Sequence, residues 1–136
     1  MTSELLPVRT FHLAEQAERS FAYAQATCDG RYIWVAGTTS MDESFVPTAP
    51  NDMRRQMENV YERIGRTLEA HGSTFGDVLQ ERIYVTDMDA MLAANDVRLA
   101  FYGTHTPAAT AVEVRRLAFV ECLVEIELVA RYGGRV

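Results

Sequence analysis

The sequence predicts an α+β domain, a mixed β-sheet with two helices packed on one face. Three observations predict it. Val124, Ile126, Leu128 and Ala130 alternate with Glu125, Glu127, Val129 and Arg131, the period of a half-buried strand. Met53, Met57, Val60, Tyr61, Ile64 and Leu68 recur at helical spacing, with Arg54, Arg55, Glu58, Glu62 and Arg66 on the other side. The 136 residues are 48% apolar and 24% charged, enough to bury a core without disulfides or metals, and residues 1–136 read as a single domain.

Along the chain, Arg9 to Leu13 reads as a short edge strand and Phe21 to Thr27 as a second extended piece. Cys28-Asp29-Gly30-Arg31 carries turn chemistry. Tyr32 to Ala36 is β-branched and aromatic, hence a buried strand ending at Gly37. A loop with Pro47 and Pro50 follows, and Asn51 is placed to cap the long helix, which Gly72 stops. Val78 to Thr86 is a strand. Asp87 or Asp89 opens a second helix whose Met91, Leu92, Val97 and Phe101 face the core, closed by Gly103 and Pro107. Ala108 to Val114 and Leu123 to Arg131 are the remaining strands. Two helices cover one face of such a sheet. The other face, carrying Trp34, Val35 or their neighbours, calls for self-association.

Composition excludes several classes. The net charge is −6 and the pI about 5.0, and the basic residues are scattered apart from Arg54-Arg55 and Arg115-Arg116, which argues against nucleic acid as a partner. The first residues, Met1 to Leu6, do not read as a signal peptide, and no run is long enough to span a membrane, so the expected location is cytoplasmic, with Cys28 and Cys122 reduced. His12, His71 and His105 are too dispersed for a metal site. Cys122, among Val120, Leu123 and Val124, reads as a buried, inert thiol.

Several motifs then carry a resemblance. Phe21 to Ala26 and Ile33 to Thr39 resemble the "PYSQA" and "VSGQ" elements of the Rid (YjgF) family of reactive-intermediate deaminases. Ala70 to Met88 resembles its "GASLDDVVKTTVYVTDM" segment. Ala94-Asn95-Asp96-Val97 with Phe101, Tyr102 and Pro107 resembles its "VNEVYxxYF…P" helix, and Val112 to Leu117 and Val124 to Glu127 its closing "VEVxxLP" and "VEIEAIA" strands. The resemblance runs from Ala22 to Arg131. It implies a chorismate-mutase-like fold, a homotrimer, and small metabolites bound in clefts between subunits. It also implies hydrolysis of imines and enamines without a cofactor.

Carried over by residue, the resemblance makes Glu125 the catalytic carboxylate that handles water, and Tyr23 and Asn95 cleft-lining residues. Thr38, Thr39 and Ser40 follow a strand; they read as a plain polar loop or as partners of a ligand oxygen, with Thr38 the candidate. The family's "P-x-R-S" arginine, which binds the substrate carboxylate, is absent. Pro107-Ala108-Ala109-Thr110 puts Ala109 in its place. Losing such a charge-assisted contact costs roughly 2–5 kcal/mol. Ala118 also replaces the proline after Leu117, and Phe119 to Cys122 is longer and more apolar than in the family. Arg115 lies about 20 Å along the strand from Ala109 by strand rise, too far to replace the arginine within one subunit; the candidates to meet an anion are Arg115, Arg116 or Arg82 brought by a neighbouring subunit, and His105 just before the strand. The expected function is hydrolytic deamination of an imine, enamine or amino-substituted acid, but not of the usual 2-imino acid. The alternative is a non-catalytic trimer that senses a metabolite. Ribonuclease activity, an older label in the family, is the reading that the acidic pI supports least.

Overall fold

The computed structural model describes residues 6–134, so Met1 to Leu5 of the N-terminal stretch read above lie outside it. Its strands are β1 (Arg9–Phe11), β2 (Ala26–Cys28), β3 (Tyr32–Thr38), β4 (Val78–Val85), β5 (Ala108–Glu113) and β6 (Val124–Arg131). They form one six-stranded sheet in the order β1-β2-β3-β6-β4-β5. All pairings are antiparallel except β4 with β5, which forms the parallel edge.

The helices are α1 (Glu15–Ser20), α2 (Met53–Glu69), α3 (Met88–Ala93) and α4 (Asn95–Tyr102), with a 3-10 turn at Phe75–Asp77. The expected pair is thus four. The second helical pattern is broken at Ala94, whose N–H donates to both Ala90 and Met91 carbonyls, ending α3 before α4 starts. The helix α1 stands before the segment read as extended. It carries no apolar periodicity; its start is held instead by the buried carboxylate of Glu18. That group accepts from His12 Nδ1 (2.8 Å) and from the N–H groups of Leu13 (3.1 Å), Ala14 (2.6 Å) and Gln25 (2.8 Å). Satisfying those donors curls the chain into a helix between the two segments read as extended. Asp52 rather than Asn51 caps α2, accepting from Arg55 N–H at 3.0 Å, while Asn51 takes a positive φ of 63°.

Alternation along the strands sorts the two faces. Ile33, Val35, Ile83, Val85, Val124, Ile126 and Leu128 are buried beneath α2, α3 and α4 together with Met57, Val60, Tyr61 and Ile64. Tyr84, Glu125 and Glu127 leave by the opposite face, where Trp34 is 44% exposed. Val35 therefore belongs to the core and Trp34 to the uncovered face. All six residues of β5 are exposed.

Candidate functional site

Glu125 is the second residue of β6, paired with Tyr84 on one side. On its other side the β3–β6 ladder shifts register between Val35 and Thr38. That bulge presses Gly37 against the carboxylate: a Cβ at Gly37 would lie 2.5 Å from Glu125 Oε1. Glycine is needed here for close approach, a common use of bulged strands beside active sites. Gly37→Ala is expected to displace the carboxylate and lower turnover about tenfold or more while the circular dichroism spectrum stays native.

The carboxylate of Glu125 makes no hydrogen bond or ion pair among the described residues. Its neighbour Glu127, by contrast, accepts from Tyr84 Oη at 2.6 Å and lies 3.7 Å from Arg82. Burial, and secondarily the charge of Glu127, raise the Glu125 carboxyl above the usual glutamate range. A raised folded pKa means that the folded state binds the proton more tightly. Stability is therefore lost as pH rises from the ordinary glutamate range through the raised value. Glu125→Gln should remove that loss, giving a variant more stable than the wild type at neutral and alkaline pH. Urea midpoints measured across pH check this.

The recess that Glu125 faces has a volume of about 300 Å³. Its polar wall is Tyr23, Gly37, Thr39 and Glu125, and its apolar wall is Phe21, Phe45, Ala118 and Phe119. The rings pack on one another, Phe45 lying 5.7 Å from Phe21 and 5.8 Å from Phe119. Burial, reinforced by Glu18, pushes the Tyr23 hydroxyl up to about 12, so at neutral pH it is a donor. Arg63 donates to the Thr39 carbonyl at 2.7 Å and fixes that corner from behind. The buried amide of Gln56 ties the loop before α2 to the loop before β6, donating to Ala49 and Glu121 carbonyls and accepting from Leu123 N–H. It thereby positions Phe119 and the entry to β6. Cys122 is buried and burial raises its thiol, against a nucleophilic role.

Of the residues singled out in the sequence, Tyr23 and Glu125 come together. Thr38 does not join them: it is buried, accepting from Gln25 Nε2 at 2.9 Å and donating to the Ala36 carbonyl at 2.8 Å. Its neighbour Thr39 lines the recess instead. Asn95 begins α4, in the helical layer. Ala109 sits on β5 opposite Glu81, three residues along β4 from Tyr84 and so about 10 Å from the level of Glu125. Its face is the helical one, since Glu81 is buried there and Glu113, four residues on and so on the same face, accepts from Met88 N–H of α3. His105 Nε2 is bonded to the Val78 carbonyl at 2.7 Å, at the end of β4 far from Glu125. Arg115 lies beyond the end of β5 and does not continue its face.

Sequence reasoning missed a charged cluster beside Ala109. Glu81, fully buried, accepts from Tyr61 Oη (2.8 Å), Tyr102 Oη (2.9 Å) and Arg98 Nε (2.7 Å). Arg98 also lies over the Tyr102 ring, 4.8 Å from its centroid. The readable signal is a glutamate in phase with Ile83 and Val85, on the apolar side of its strand.

The family model for endoribonuclease L-PSP matches residues 14–132. The chain belongs to that family. Among its relatives are a RutC family protein of Pyrococcus horikoshii, 34% identical over 79% of this chain and 85% of its own, and the 2-iminobutanoate/2-iminopropanoate deaminase of Capra hircus, 29% identical over 82% and 80%. The endoribonuclease L-PSP fold recurs in Rv2704 of Mycobacterium tuberculosis, a member of the YjgF/YER057c/UK114 family, with a TM-score of 0.80 at 30% identity over 92% of this chain and 99% of that one. These findings agree with the Rid (YjgF) resemblance read from the motifs. Among the described residues, no helix is long and apolar enough to cross a membrane.

Proposed function

We propose that this chain is a cofactor-independent, deaminase-type hydrolase that acts as a cytosolic homotrimer with its clefts between subunits. One observation carries the reading: an unpaired, half-buried carboxylate, raised in pKa, faces a recess whose other ionisable wall group is the neutral Tyr23 hydroxyl. In imine hydrolysis Glu125 takes a proton from water as its oxygen attacks the C=N carbon. The protonated Glu125 then gives that proton to the nitrogen of the carbinolamine. Glu125 next takes the hydroxyl proton of the carbinolamine and passes it to the same nitrogen; the C–N bond breaks, ammonia leaves and the carbonyl forms. A carboxyl poised nearer neutrality than an ordinary glutamate serves both transfers.

The inter-subunit cleft is supported by the separation of the candidate residues. Tyr23 and Glu125 lie on the uncovered face; Asn95 begins α4 in the helical layer, and Ala109 leaves the β5 edge on that same helical side. One chain does not join them, whereas a neighbouring copy set against Trp34 and the uncovered face would.

The phenylalanine wall suits a substrate with a bulky apolar body. Imines generated in situ from phenylalanine and leucine are expected to be hydrolysed in preference to that from alanine, with ammonia release as the readout. Phe119→Ala should raise KM for the phenylalanine imine about 10-fold, from lost aromatic burial, and leave the alanine imine nearly unaffected. If the alanine imine is the better substrate, the recess does not select in this way.

A further inference from the structure

We infer that Arg98 is the carboxylate-binding residue of the β5 edge, in place of the arginine that Ala109 leaves missing. This rests on the reading of that edge as half of the substrate cleft.

Glu81 and Ala109 are register partners in a parallel pair, so their Cα atoms lie about 5 Å apart and their side chains leave the same face. The Glu81 carboxylate is the acceptor for Arg98 Nε at 2.7 Å. The guanidinium is thus held beside the position that a longer side chain at 109 would fill. Ala109 is exposed and fills none of it.

Three features make the group fit to bind an anion. Its position is fixed twice, by Glu81 and by stacking on Tyr102. Glu81 also receives two tyrosine hydroxyls, which spread its charge and leave less of it to cancel the arginine. Only Nε is engaged: the two terminal amino groups have no acceptor among the described residues, and no unpaired side-chain nitrogen is sealed from solvent there. Two parallel N–H donors are therefore open to a carboxylate, the fork geometry that guanidinium supplies. Burial is the largest single influence and disfavours the Arg98 charge, but the hydrogen bond and charge of Glu81, joined by Tyr61 and Tyr102, together outweigh it and raise the pKa, so the charge is retained. Asn95 stands one turn earlier at i−3, on the same side of α4, and its amide has no partner among the described residues. It is placed to donate to the second oxygen of the same ligand.

The ligand class is a small monocarboxylate whose apolar part extends into the phenylalanine recess of the neighbouring subunit. The role differs from that of a clamp grown from the strand, because Arg98 reaches the site from the helix.

The test is binding, which needs no turnover. Titration of the full chain with 2-oxobutanoate and with the neutral 2-oxobutanamide is followed by calorimetry. Wild type is expected to bind the acid and to prefer it to the amide. Arg98→Gln should weaken acid binding about 10- to 100-fold, the loss of a charge-assisted pair, and leave the amide unchanged. Arg98→Lys should retain part of the preference. Should Arg98→Gln fold poorly, Ala109→Asp leaves Arg98 in place and sets a competing carboxylate beside it, with the same loss expected. Wild-type affinity for the acid in Arg98→Gln or in Ala109→Asp, or no preference for the acid in the wild type, overturns the inference. Arg98-dependent binding without any ammonia release from imines would sink the deaminase reading alone. Ammonia release indifferent to Arg98→Gln would sink this inference alone.

Discussion

Glu125→Gln is expected to reduce the rate of imine hydrolysis by about 10²–10⁴-fold, the usual contribution of one general acid–base group. The amide keeps the shape of the side chain and its fit against Gly37, so the loss is one of proton transfer rather than of packing. Substrate binding should change little, which places the effect in kcat and not in KM. The same substitution removes a carboxylate that burial and Glu127 hold above its ordinary pKa. Activity and stability should therefore move in opposite directions. A variant that loses turnover and also loses stability would indicate that Glu125 is a structural charge. Ammonia release and urea midpoints on one preparation separate the two.

Glu81→Ala carries the largest expected effect on stability. Removing the carboxylate leaves the Tyr61 and Tyr102 hydroxyls and the Arg98 guanidinium without their acceptor inside the helical layer. A buried charge stripped of its partner typically costs about 3–5 kcal/mol, and the unpaired hydroxyls add to it. Glu81→Gln should be milder, because the amide oxygen still accepts from the tyrosines. Equilibrium urea unfolding at fixed protein concentration measures both, since self-association would otherwise shift the midpoint. A loss below about 1 kcal/mol for Glu81→Ala would mean that water replaces the carboxylate and that the cluster is not a dry anchor for Arg98.

Much of this was legible in the sequence, for identifiable reasons. The alternation from Val124 to Arg131 placed Glu125 on the uncovered face, and the stripe from Met53 to Leu68 placed the long helix. These are strong periodic signals. Signals that failed were local and weak. Asn51 and Asp52 are equally good caps on paper, and only the turn geometry chooses Asp52. The helix α1 depends on one buried glutamate four residues from the start of its turn, a tertiary contact with no period. Thr38 and Thr39 are neighbours of the same type; the bulge at Gly37 decides which of them faces the recess. The placement of Arg98 was not legible because it depends on Glu81, 17 residues away in sequence, and on a parallel pairing that no pattern announces. Ala109 offers no side-chain donor. What the register adds is that the space beside it is next to a guanidinium supplied from α4.

On the proposed reading, the active cleft joins the Glu125 recess of one subunit to the β5 edge of another. Mixing two inactive variants checks that arrangement. Glu125→Gln disables the recess and Ala109→Asp disables the edge. After unfolding and joint refolding of equal amounts, random assembly into cyclic trimers gives about one quarter of the clefts both intact halves. Ammonia release should therefore recover to about a quarter of the wild-type rate, from components that are each nearly inactive. A mixture no more active than its components, with mixed trimers verified by mass, would contradict the inter-subunit cleft.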